Sequence, residues 1–320
     1  MSDSSLWVTA PVLEGELLAT LKNNLSPALD SLPEGWLEQF EQAWLPVATW
    51  LATKVKQSEQ VPVVGVHGGQ GSGKSTLSKA LAALYKQALG WNCVIVSIDD
   101  LYLSHADRQS LAASQHPLLA TRGVPGTHDW QLGMALFDQL KQLKEGESLK
   151  IPAFDKVSDD RLPEDQWHQI TGPVDLVLFE GWCVGTQAAS EDSLQKPINE
   201  LEEKEDVDGS WRTWVNHQLK EPYKDWFAQI NWLIMLKVPG MDAVLNWRGQ
   251  QEVENKKATK GSSDRSLDEA GLKRFIQHYE RLTENALTQL PEVADLVLEL
   301  NSAHKVDKIS YRDDPSPEAT

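Results

Sequence analysis

The sequence predicts an α/β protein built on a parallel five-stranded sheet flanked by helices, with an N-terminal helical extension. Three observations carry that prediction. Five short, mostly aliphatic runs (61–66, 93–98, 174–179, 232–238 and 296–300) alternate with helical stretches, the pattern of buried parallel strands joined by right-handed crossovers. A glycine-rich segment lies between the first run and the first helical stretch that follows it. Acidic residues close the second and third runs, at the sheet edge where ligands of such folds bind.

Residues 1–58 read as the helical extension. Leu37, Phe40, Trp44, Val47 and Leu51 recur at alternating three- and four-residue steps. Pro33 and Gly35 break the pattern before them, and Pro46 inside it predicts a kink or a break. The pattern alone implies that the extension packs against the main domain. That domain spans residues 59–311, with its clearest helices at 75–89 and 132–143. The acidic stretch 187–209 and the Lys-, Ser-, Asp- and Glu-rich stretch 250–268 read as loops. Residues 312–320 read as a disordered tail.

Composition excludes several classes. A formal net charge of −17 over 320 residues repels polyphosphate backbones and anionic lipid, so nucleic acid and membrane are not expected partners. Any phosphate site must then be local, built from backbone N–H groups and a few cations. Two cysteines, Cys93 and Cys183, lie in or beside apolar runs without a Cys-x-x-Cys, which predicts free thiols in a reducing compartment. No signal peptide is recognisable, and no apolar run approaches the ~20 residues of a membrane span. The expected location is the cytoplasm.

The strongest motif is Gly68-Gly69-Gln70-Gly71-Ser72-Gly73-Lys74-Ser75-Thr76. It satisfies G-x-x-x-x-G-K-[ST] with a strand before it and a helix after it. The glycines let successive N–H groups curl around phosphate oxygens, and the helix adds its positive end. ATP is the expected ligand, with Lys74 on the β- and γ-phosphates, Ser75 on Mg²⁺ and Thr76 behind it. Next comes Ser97-Ile98-Asp99-Asp100-Leu101-Tyr102 at the end of the second run. A kinase needs a carboxylate to orient the acceptor hydroxyl and take its proton. Asp99 is the first choice, also within reach of the metal, and Asp100 is the second; Tyr102 lines the same side. The third run ends at Glu180, the expected second metal carboxylate, whereas Asp175 lies at the wrong end of that strand. Two loops, Arg122-Gly123-Val124-Pro125-Gly126-Thr127-His128-Asp129 and Ile151-Pro152-Ala153-Phe154-Asp155-Lys156, mix cations, acids and turn residues, as acceptor loops do. Arg122, His128, Asp129, Asp155 and Lys156 are the substrate-side candidates. Arg248, with Lys256, Lys257 or Lys260, is placed to close over the transferring group as a lid.

The order of these motifs, phosphate loop, S-I-D-D-L-Y, R-G-x-P-G-T-H-D, I-P-x-F-D-K, L-F-E-G-W and N-W-R, resembles the plant-type D-glycerate 3-kinases and their fungal and bacterial relatives. These sit within the phosphoribulokinase, uridine kinase and pantothenate kinase group. The resemblance implies a P-loop kinase fold with strand order 2-3-1-4-5 and transfer from MgATP to the 3-hydroxyl of D-glycerate. It maps the catalytic base onto Asp99, the strand-end carboxylate onto Glu180 and the lid arginine onto Arg248. Leu101 stands where relatives often have Phe, Trp130 where they usually have Leu, and the insert 187–209 matches no family element. The carboxylate of glycerate needs a cation or an N–H pair, and Arg122, His128, Lys156 and Arg161 are the candidates. Two other readings compete: a kinase of the same group for another acceptor (a nucleoside, pantothenate or another sugar acid), and an ATP-dependent switch or assembly factor.

Overall fold

The computed structural model describes residues 7–8, 15–23, 34–258 and 269–312. The strands are β1 (Trp7–Val8), β2 (Val63–Gly68), β3 (Cys93–Ser97), β4 (Ser148–Ile151), β5 (Phe154–Asp155), β6 (Asp160–Arg161), β7 (His168–Thr171), β8 (Leu176–Gly181), β9 (Trp232–Lys237), β10 (Leu296–Leu300) and β11 (Val306–Arg312). The α-helices are α1 (Gly15–Asn23), α2 (Glu34–Glu38), α3 (Leu45–Gln57), α4 (Lys74–Leu89), α5 (His105–Ser114), α6 (Trp130–Gln142), α7 (Glu200–Glu205), α8 (Ser210–Lys220), α9 (Pro222–Phe227), α10 (Met241–Ala258) and α11 (Glu269–Gln289).

The main sheet runs β1-β11-β10-β9-β2-β8-β3. Its parallel part comprises the five apolar runs in the order 2-3-1-4-5. Two antiparallel strands extend one edge, β11 on β10 and β1 on β11. The sheet is therefore larger than the five strands expected, and residues 7–8 of the helical extension are strand. Two small antiparallel pairs, β4–β7 and β5–β6, stand apart from it.

Successive side chains of a strand face opposite sides, and the core divides accordingly. Val64, Val66, Leu176, Leu178, Ile234 and Leu236 face one layer. Val63, Val177, Phe179, Leu233 and Met235 face the other. The first layer also holds Leu17, Leu21, Trp44, Val47 and Leu51 of the extension beside Leu77, Leu81 and Leu84 of α4. The extension thus shares a core with the phosphate-loop helix. Its predicted stripe is buried except for Leu37, because α2 ends at Glu38 and a π-helical turn, Phe40–Trp44, shifts the phase before α3 begins. Pro46 falls in the first turn of α3, where its missing N–H costs nothing.

The stretch 187–209 is less irregular than predicted. It carries a 3-10 turn (Glu191–Leu194) and α7. Three of its acidic residues are paired: Glu202 with Arg281 at 2.6 Å and Glu205 with Arg274 at 2.7 Å, both arginines on α11, and Asp206 with Arg212 of the adjacent α8 at 2.8 Å. Residues 250–258 continue helix α10 rather than forming a loop. The side chains of Lys256 and Lys257, and Lys260 itself, lie outside the described residues, as do residues 313–320 of the expected tail; Arg312 ends β11. Among the described residues no helix is long and apolar enough to cross a membrane.

Candidate active site

The carboxyl edge of the parallel sheet places the motifs side by side. Ser97, Glu180 and Val66 are level on adjacent strands β3, β8 and β2. Above Val66 the chain enters the phosphate loop. Gly71 (φ +80°) and Gly73 (φ +91°) take the left-handed conformation that only glycine holds without strain. A Cβ on Gly68 would lie 2.5 Å from Ser72 Oγ, so the loop closes tightly over that position. Gln70 and Thr76 are half-buried. Lys74 donates from Nζ to the Gly69 carbonyl at 3.2 Å, bending back across the mouth of its own loop. Burial lowers the Lys74 pKa, while Glu180 and then Asp99 oppose that shift.

Ser75 donates from Oγ to Glu180 Oε1 at 2.8 Å. A hydroxyl and a carboxylate held together supply the all-oxygen donor set that Mg²⁺ prefers. With the left-handed glycines and Lys74 around it, this arrangement fits a magnesium-bound nucleotide.

Beside the loop, a 3-10 turn (Ile98–Leu101) carries Asp99 and Asp100, and the Asp99 N–H donates to the capping Ser97 Oγ at 3.3 Å. Asp99 is held at both oxygens. Tyr102 donates to Oδ1 at 2.9 Å and Lys156 to Oδ2 at 2.7 Å. Burial alone would raise the Asp99 pKa, but the Lys156 charge, its hydrogen bond and the Tyr102 hydroxyl together bring it to about 2. Asp100 accepts from the Phe154 N–H at 3.2 Å, and burial raises its pKa. It therefore anchors the loop that delivers Lys156.

The remaining candidates divide sharply. Leu103 N–H donates to Thr127 O and Asp129 N–H to Leu101 O, joining the two motif loops as a short antiparallel ladder. His128 stacks on Tyr102 with centroids 4.5 Å apart, is 1% exposed, and meets the Tyr223 hydroxyl at 2.7 Å through Nδ1. Burial lowers its pKa to about 3, so it is neutral near pH 7. Asp129 caps α6 by accepting from Leu132 N–H at 3.0 Å, and it pairs with Arg161. Asp155 accepts from the Val157 and Ser158 N–H groups and shapes that turn. Arg122 pairs with Asp159 and lies 5.5 Å from the Phe154 ring. These carboxylates and arginines hold the 122–129 and 151–156 loops in shape. The Arg248 guanidinium lies 5.7 Å from the Phe275 ring of α11.

Several residues of the site escape sequence reading. Tyr279, on α11, donates to the Arg122 carbonyl at 3.1 Å, and its ring leaves no room for a Cβ on Gly123 (φ +141°). Trp182 donates to the Gly123 carbonyl at 3.2 Å and meets Tyr279 edge-on. Arg108, 0% exposed, pairs with Asp159 at 3.0 Å behind Phe154. Trp182 at least belongs to the L-F-E-G-W motif. Arg108 and Tyr279 sit on ordinary amphipathic helices and carry no local signal.

The model of the phosphoribulokinase / uridine kinase family matches residues 63–202. The uncharacterized kinase mug58 of Schizosaccharomyces pombe is 34% identical over 228 residues, covering 68% of this chain and 78% of that protein. The chain belongs to the phosphoribulokinase / uridine kinase family. Within this kinase family it is also similar to the chloroplastic D-glycerate 3-kinase of Arabidopsis thaliana, 28% identical over 270 residues. That match takes in 79% of this chain but only 56% of the plant enzyme's length. A solved D-glycerate 3-kinase structure from Cryptococcus neoformans var. grubii superposes with a TM-score of 0.65 at 22% identity, covering 92% of this chain and 98% of that one. It shows the shared P-loop kinase fold.

The Asp99–Lys156 pair has a pH consequence. The folded Asp99 pKa is depressed to about 2, below the ~3.9 of a free aspartate. The pair's contribution to stability is therefore complete above about pH 4 and is lost as the pH falls toward 2. Lys156→Met removes the ammonium and leaves the burial. The Asp99 pKa is then expected to rise above the ordinary aspartate value, and the acid limb of kcat/KM to move upward in pH. A ¹³C NMR titration of the Asp99 carboxyl checks this; an Asp99 pKa still near 2 in Lys156→Met contradicts it.

Proposed function

We propose that the chain transfers the γ-phosphoryl group of ATP to the 3-hydroxyl of D-glycerate, giving 3-phosphoglycerate and ADP. The observation that supports this most is the pairing of Asp99 with Lys156 at 2.7 Å beside the Ser75–Glu180 contact at 2.8 Å. A carboxylate and a cation suited to a hydroxy acid thus adjoin a phosphate grip. The names of the plant and Cryptococcus relatives support glycerate in particular.

In this reading the phosphate loop and Lys74 hold the triphosphate, and Ser75 with Glu180 would hold Mg²⁺. The metal, when bound, neutralises charge on the phosphate oxygens. Asp99 orients the 3-hydroxyl and takes its proton as the new O–P bond forms and the bond to ADP breaks. Arg248 stabilises the transferring group. Lys156 is the partner proposed here for the glycerate carboxylate. Arg122 and Arg161 face Asp159 and Asp129, and His128 is buried and neutral. Lys156 is paired as well, with Asp99 at 2.7 Å, but its side chain is 60% exposed, against 24% for Arg122 and 20% for Arg161. Moving from Asp99 to the substrate carboxylate, it would both bind glycerate and release Asp99 as a stronger base. Cys93 and Cys183 are free thiols, which fits work in a reducing cytoplasm.

The test is ADP release over an acceptor panel of D-glycerate, uridine, pantothenate and a second sugar acid. Release that depends on D-glycerate supports the reading. Turnover of another alcohol with none for D-glycerate would mean a different acceptor, and acceptor-independent release would mean a switch.

A further inference from the structure

The two left-handed glycines of the phosphate loop are each backed by an aromatic residue from outside the strand–loop–helix unit. A Cβ on Gly73 would lie 3.0 Å from Cζ2 of Trp36, and one on Gly71 would lie 2.7 Å from Cβ of Trp247. Trp36 belongs to α2 of the N-terminal extension, is 9% exposed, and stacks on Trp44 with centroids 3.8 Å apart and planes within 10°. The Gly71 carbonyl meets His304 Nε2 at 3.0 Å, and the His304 ring stacks on Trp247 at 4.0 Å.

The same extension grips the turn that carries His304. Gln39 donates from Nε2 to the Val306 carbonyl and accepts from the Val306 N–H, both at 2.8 Å. Glu38 pairs with Lys305 at 2.6 Å. The extension therefore reaches the loop by two routes, directly through Trp36 on Gly73 and indirectly through the 301–306 turn, whose His304 meets Gly71. A glycine-rich loop has many conformations, and holding it in one of them costs conformational entropy. Contacts that keep Gly71 and Gly73 curled before nucleotide arrives reduce the ordering left for binding.

We propose that Trp36 is a positioning residue of the ATP site, and that docking of the 34–44 segment and nucleotide binding reinforce each other. The proposal rests on the phosphate loop as the nucleotide grip and does not depend on the acceptor. By reciprocity, nucleotide must stabilise the docked segment as much as the segment favours nucleotide.

The test uses the full chain, with ADP binding by calorimetry and kinetics in ATP. Trp36→Ala is expected to raise the ADP Kd and the KM for ATP about tenfold, or about 1.4 kcal/mol. At saturating ATP, kcat and the acceptor KM should stay within about twofold, and Trp36→Phe should recover most of the loss. In the unaltered chain, ADP should slow backbone hydrogen exchange at 34–44 and 301–306, a readout that survives even if Trp36→Ala fails to fold. A lower melting temperature with unchanged ADP affinity, or no ADP effect on exchange in those segments, overturns the proposal. Absence of ADP binding by the unaltered chain would instead overturn the phosphate-loop assignment.

Discussion

Asp99→Asn is expected to lower kcat by roughly 10²–10⁴-fold, the usual contribution of a positioned general base, while ADP affinity stays within about threefold. The carboxamide keeps the volume and still accepts from Tyr102, which donates to Asp99 Oδ1 at 2.9 Å. It cannot take a proton from an alcohol. The lost ion pair should cost little stability, because the Lys156 side chain is 60% exposed and can hydrate instead. Burst and steady-state kinetics with ADP titration separate chemistry from binding. Unchanged kcat would remove Asp99 as the base; a collapse of ADP affinity would mean that it holds nucleotide instead.

Lys74→Ala is expected to lower kcat by at least about 10³-fold, the scale on which cationic stabilisation of a transferring phosphoryl group operates, and to weaken ADP as well. Lys74 is the loop's own cation, bonded to the Gly69 carbonyl at 3.2 Å and electrostatically coupled to Glu180 and Asp99. Its pKa is lowered chiefly by burial, so its charge is held at a desolvation cost. Deleting it should leave the melting temperature nearly unchanged or slightly higher. Loss of activity without loss of stability is the signature to look for in parallel thermal melts and rate measurements. Full activity in Lys74→Ala would refute the loop as the nucleotide grip.

The catalytic edge was legible because its signals are local. A strand, a glycine loop and a helix are contiguous from Val63 to Leu89, Glu180 lies at the end of β8, and Asp99 follows the end of β3 by two residues. The five parallel strands were legible for the same reason, being short apolar runs. What escaped depends on partners distant in sequence. β11 reads Val306-Asp307-Lys308-Ile309-Ser310-Tyr311, with Asp307 and Lys308 exposed to solvent, and so shows no continuous apolar run. The acidic stretch 187–209 gave no hint of Arg274 and Arg281, which neutralise it from α11. The N–H groups that Asp129 and Asp155 accept from carry no signal in the sequence, where both are only charged loop residues. The extension's stripe announced packing, but nothing local told Trp36 that its neighbour would be Gly73.

The most direct test of glycerate phosphorylation is ³¹P NMR of the product formed from ATP and D-glycerate. The 3-hydroxyl is carried by a CH₂ group, so the expected result is a phosphomonoester resonance split into a triplet by two protons, growing as ATP is consumed. A doublet would place the phosphate on the 2-hydroxyl. Inorganic phosphate alone, or no new resonance, would contradict a glycerate 3-kinase activity.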